Sequence, residues 1–174
     1  MDKMIMELFL REIKKQCEFV LYSVEMMNEY LINRSITDKQ FWYYVQGFLE
    51  GTANVSKLLF GASRSSSEDR EELREYLGVS EDSIIRNREI RNAFDHYDER
   101  IVRWYANSEQ KNFVDTTIGP YESIQGVVDS DRFRGYDTKR NVITFRGEEL
   151  EVQPITDELM RIYNNLLGKE QSHI

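Results

Sequence analysis

One cysteine in 174 residues leaves no internal disulfide, and with no Cys/His cluster around it there is no zinc site to expect. Cys17 lies among apolar helix-forming residues and is expected to be a buried small hydrophobe, a usage that suits a reducing compartment. No apolar run approaches the roughly 18 residues of a membrane span. The opening stretch carries Asp2, Glu7, Arg11 and Glu12, where a secretory signal needs unbroken apolar residues. A soluble, cytoplasmic protein without a membrane partner is the expectation. Basic excess is missing too: a net charge of −8 argues against a general nucleic-acid coat, though a small local site is compatible with it. There is no internal repeat, and the only low-complexity tract is the serine run of 65–67. Histidine is scarce, with His96 in the middle of the chain and His173 in the tail.

What is present reads first as helices. From Met4 to Leu31, Ile5, Leu8, Ile13, Val20, Val24, Met27 and Leu31 recur at a spacing that lines one helix face. A second helix is predicted from Thr37 to about Phe60. Thr37 and Gln40 form a capping box, and Ile36 and Phe41 stand where a hydrophobic staple belongs. Gly47 and Gly51 fall on one face of it. Two interior glycines cost about 1 kcal/mol each relative to alanine, and the close approach of a neighbouring helix is the simplest offset, a ligand groove the sharper one. Glu50 beside them is a guess at a further site member. The Gly61–Ser67 connection leads to a short helix ending at Leu77-Gly78. Ser80 then predicts the cap of a helix over 81–106.

Beyond Asn107 the pattern alternates. Phe133–Tyr136, Asn141–Phe145 and Glu149–Val152 read as strands, with turns at Asp137–Arg140 and Arg146-Gly147. A last helix is predicted after Pro154, capped by Thr156 and ending at Leu167-Gly168. The fold class is therefore mainly α, an up-and-down helical bundle with a small strand-rich segment before the C-terminal helix. The length fits one domain over 1–174, comprising a bundle (1–106), a strand and loop insertion (107–153) and a terminal helix (154–168). Within 132–146, Arg132, Arg134, Lys139, Arg140 and Arg146 face one acid, Asp137. That segment is either a solvated hairpin surface or a basic flap for nucleic acid.

The chemistry-bearing string is Arg91-Asn92-Ala93-Phe94-Asp95-His96. Histidine moves a proton near neutral pH, and a guanidinium grips phosphate through parallel hydrogen bonds. At about 100° per residue, Ile90, Phe94, Tyr97, Ile101 and Trp104 form the predicted core stripe. Asn92, His96, Glu99 and Arg103 then face away from it, with Arg91 and Arg100 at the flanks. Two copies of that face related by a twofold axis would bring two sets of these residues together. The acids Asp95, Asp98 and Glu99 are either helix salt-bridge partners or groups that raise the His96 pKa.

Arg91-Asn92-x-x-x-His96, inside the third predicted long helix of a helical bundle, resembles the signature of the HEPN superfamily (higher eukaryote and prokaryote nucleotide-binding domains). The resemblance covers roughly residues 1–106. It implies an up-and-down bundle that pairs as a homodimer through the Asn92/His96/Arg103 face. It also implies a metal-independent endoribonuclease without cofactor, with Arg91 and His96 as catalytic residues and Asn92 at the polar position. Toxin and defence components held in check by an antitoxin-like protein belong to this class. Arg103, Arg132, Arg134, Lys139 and Arg140 are the candidates for contacting RNA. The alternative is a non-catalytic module that binds nucleotide, RNA or protein.

Overall fold

The computed structural model describes residues 1–61, 67–87 and 97–171. Five α-helices are defined among them: α1 (Lys3–Asn33), α2 (Asp38–Phe60), α3 (Glu71–Leu77), α4 (Tyr97–Asn107) and α5 (Val152–Gln171). Four short strands, β1 (Thr117–Ile118), β2 (Arg134–Asp137), β3 (Val142–Phe145) and β4 (Glu148–Glu151), make one sheet. The chain is thus mainly helical, with a small sheet ahead of its last helix. No helix among the described residues is long and apolar enough to cross a membrane. Two units separate, one from residues 1–91 and 154–174, the other from 92–153. The sequence grouped α4 with the bundle; here it belongs with the strands.

The first unit is built on the antiparallel pair α1 and α2. Asp2 caps α1 by accepting from the backbone of Met4 and Ile5, and Arg34 ends it in the left-handed conformation. Ile13, Cys17, Val20, Met27 and Tyr30 form its buried face, while Ile5 and Leu8, expected in the core, are about half exposed. The capping box of α2 is present: Thr37 accepts from the Gln40 backbone and the Gln40 side chain accepts from Thr37. The two glycines face α1. A Cβ on Gly51 would stand 2.6 Å from Val20 Cγ2, and one on Gly47 2.9 Å from Ser23 Oγ. Backbone-to-side-chain proximity of this kind is what offsets the propensity cost of the glycines.

α3 closes the unit with Leu73 and Leu77, both fully buried. Its Arg74 is buried as well, donating to the carbonyls of Leu59 (2.9 Å) and Ser67 (2.8 Å) and pairing with Glu81. These bonds occupy a carbonyl left orphaned at the end of α2. Gly78, at φ 66°, stops α3, and the Val79 amide returns to Arg74 O in a Schellman arrangement. The predicted helix from 81 does not follow. Residues 81–82 turn, Ser83 caps a single 3₁₀ turn at Ile84–Arg86, and Ser80 bonds to Asp82 instead of capping. The short Asx-like bonds of Ser80 and Asp82 compete with helical ones here. α5 presents Ile155, Leu159, Ile162 and Leu166, a heptad-like stripe, to this core. It starts at Val152, earlier than predicted, because Pro154 is tolerated in a first turn where its missing N–H is not needed.

In the second unit the strands run in the order β1-β2-β3-β4, with β1 parallel to β2 and the rest antiparallel. Phe145 pairs directly with Glu148, so β3 and β4 are joined by the two residues Arg146-Gly147. Both have positive φ, 50° and 84°, the backbone of a type I′ hairpin. Phe133, Tyr136 and Phe145 supply the buried aromatic layer.

Candidate anion-binding site

α4 lies over that aromatic layer. Trp104 stacks on Phe133 at 4.6 Å with 17° between planes and meets Phe113 edge-on at 5.1 Å. Its indole N–H donates to Asp131 O at 3.1 Å. The inward face of α4 is Arg100 and Trp104, continued by Ser108, whereas Ile101, expected in the core, is 44% exposed. Arg100 takes that place because its guanidinium lies 4.8 Å over the Phe145 ring while its stem covers apolar surface. Just past the helix, Asp131 is buried and accepts from Ser108 Oγ (2.6 Å) and the amides of Gln110 (3.1 Å) and Asn112 (3.2 Å). It anchors the chain leaving α4. Burial alone would raise its pKa, but these hydrogen bonds outweigh burial and hold it below the ordinary carboxylate value.

Three arginines gather beside α4. Arg100 pairs with Glu148 at 3.3 Å, and Arg103, on the outward face as predicted, with Glu99 at 3.2 Å. From the hairpin turn, Arg146 reaches Arg100 O at 3.4 Å. Among the described residues it has no carboxylate within ion-pair distance. Burial, then the fields of Arg100 and Arg103, push its pKa down. A guanidinium remains protonated at neutral pH regardless, so three cations stand together here, Arg100 and Arg103 each beside a carboxylate and Arg146 beside none among the described residues. A guanidinium group of this kind is suited to a phosphate or another oxyanion.

The remaining basic candidates are distributed differently. Arg134 grips Asp115 with two bonds, 2.8 and 2.6 Å. Arg140 bonds Asp137 at 2.7 Å and Glu149 at 2.9 and 2.8 Å. Arg132 lies 4.4 Å over the Tyr121 ring and donates to Ile124 O, and Lys139 is exposed on the β2–β3 turn. The surplus read within 132–146 is therefore reduced by Asp115 and Glu149, which lie outside that window in sequence. Arg91, Asn92 and His96 lie outside the described residues, as do Ile90 and Phe94. Arg146 was not singled out as a site residue; the signal was available, since an arginine before glycine in a two-residue turn is an unusual choice. Among the described residues, no group of three or more His, Cys, Asp or Glu side chains is placed to hold a metal ion. Comparison with known proteins finds no matching family model, no matching curated protein and no matching solved structure.

Proposed function

We propose that the protein binds RNA at the arginine cluster beside α4 and cleaves it without metal as a homodimer, the chemistry coming from Arg91, Asn92 and His96. The observation that carries this reading is the gathering of the Arg100, Arg103 and Arg146 guanidiniums, on and against a helix that follows His96 directly in sequence. A phosphodiester seated on those arginines needs a base for its 2′-hydroxyl and an acid for its 5′-oxygen. His96 of one protomer takes the 2′ proton as the 2′-oxygen attacks phosphorus. The symmetry-related His96, protonated, delivers a proton to the departing 5′-oxygen, leaving a 2′,3′-cyclic phosphate. Arg91 neutralises the non-bridging oxygens, and Asn92 orients His96.

The test is incubation of single-stranded RNA with the protein in EDTA, with His96→Ala and Arg91→Ala alongside. Cyclic-phosphate ends that disappear in both variants support the reading. Cleavage that persists in either one sinks it. A second reading, a non-catalytic RNA- or partner-binding module, is favoured by the carboxylates that already occupy Arg134 and Arg140. It is the outcome if RNA is retained, in an Arg146-dependent way, and never cut.

A further inference from the structure

We infer that the groove between α1 and α2 is a binding site for a small organic ammonium cation. Where the glycines bring α2 against α1, the flanking side chains stand up as the walls of a half-open groove of about 600 Å³. That is the size of small-molecule pockets in general. One end is aromatic. Tyr22 and Tyr44 meet at 82° with centroids 5.9 Å apart, and Tyr43 and Tyr44 at 80° and 5.4 Å. In each pair the electropositive edge of one ring meets the face of the other, which holds the three rings in fixed orientations. Phe19, Tyr22 and Tyr43 are 54%, 54% and 73% exposed there, a concentration of uncovered aromatic surface.

Charge selects the occupant. Among the described residues, Glu50 is the single ionisable acid or base, tyrosines aside, that lines the groove, and no lysine or arginine does. Its carboxylate is exposed and, among the described residues, has no hydrogen-bond or ion-pair partner. Glu50 lies seven positions from Tyr43, two helical turns along the same face. An anion would meet a carboxylate and ring faces, both repulsive. A neutral apolar ligand would cover Glu50 without pairing it. A cation carrying methyl groups satisfies both features, since its charge meets ring faces and carboxylate while its weakly hydrated carbons cover aromatic surface. At the other end Gln16 and Asn54, bonded to each other at 3.3 Å, offer amides to a polar tail. None of these residues takes part in the proposed RNA site.

The probe is choline, titrated at constant ionic strength and followed by amide NMR shifts, beside its neutral isostere in which carbon replaces nitrogen. Saturable shifts at Tyr43, Gln46 and Glu50 are expected, with the isostere bound about tenfold more weakly, the factor that an ion–ring contact of order 1–2 kcal/mol supplies. Glu50→Gln and Tyr43→Leu, both at exposed positions, should each weaken choline several-fold while the melting curve stays unchanged. Absence of saturable shifts overturns the inference. So does equal affinity for the isostere, or choline binding indifferent to Glu50→Gln. The same amides shifting with protein concentration alone would assign the groove to a second copy of the chain and also overturn it.

Discussion

Replacing Arg146 with asparagine should make the protein more stable and a poorer ligand for phosphate. At φ 50° the residue occupies the left-handed region, which costs an ordinary L-residue roughly 1–2 kcal/mol. Asparagine before glycine is the favoured pair for a two-residue turn of this kind. The side chain does little to offset its backbone. Its one side-chain hydrogen bond among the described residues, to Arg100 O, is long at 3.4 Å, and Arg100 and Arg103 repel it more than Glu148 attracts it. A net gain of about 1 kcal/mol follows, less a few tenths for the packing of the arginine stem. For a chain of this size that is a rise in Tm of roughly 2–4 °C. Affinity for single-stranded RNA should fall, and the slope of log K against log salt should become shallower by about 0.7, one phosphate contact. Thermal melting and a salt-dependent binding titration measure the two halves. A lower Tm for Arg146→Asn would mean that the arginine is held by contacts stronger than its backbone strain. A higher Tm with unchanged salt dependence would remove the cluster from RNA binding.

Gly51→Ala should lower the urea midpoint, because the added methyl meets the stiff, fully buried Val20. Overpacking of about 1–3 kcal/mol exceeds the ~1 kcal/mol of helix propensity gained, and Val20→Ala in the same chain should restore part of the loss. Gly47→Ala should be close to neutral, since it meets only the Ser23 hydroxyl; the reverse ranking of the two would contradict the packing described. Asp131 predicts acid lability. Its folded-state pKa is depressed, so its contribution is fully present above the ordinary value of about 3.9 and is lost as pH falls through the lower folded value. Urea midpoints measured downward from pH 5 should show this loss, and Asp131→Asn should be less stable at neutral pH with a flatter acid limb. Cys17, buried with its thiol pushed up to about 12, should resist alkylation in the native protein and react only on unfolding, as a timed thiol-labelling series would show.

Local rules were legible wherever the deciding atoms lay close in sequence. Thr37 and Gln40 satisfy each other across three residues, Gly78 stops α3, and Arg146-Gly147 closes a hairpin, so these features can be read directly. Periodicity failed where a tertiary partner changed the preference of a face. Ile101 gives way to Arg100 because the surface opposite is the Phe145 ring, a fact absent from α4 itself. Charge counting over 132–146 failed similarly, since Asp115 and Glu149 arrive from neighbouring strands and loops. The aromatic contact of Tyr22 with Tyr44 was invisible as a pair. Each reads as an ordinary tyrosine of its own helix until the antiparallel register of α1 and α2 sets the two rings edge to face.

The discontinuity of the first unit orders events during synthesis. Its last helix bonds to residues laid down long before: Asn165 to Leu77 O, Arg161 to Gly78 O, and Tyr163 to Glu18. The whole of 92–153 must leave the ribosome before those contacts can form, a wait of roughly 3–12 s at about 5–20 residues per second. The second unit, its contacts contained within one uninterrupted stretch, has that interval in which to complete itself. Through it α1, α2 and α3 stand without the apolar stripe of Ile155, Leu159, Ile162 and Leu166 that α5 later brings, the period in which a nascent chain most needs a chaperone.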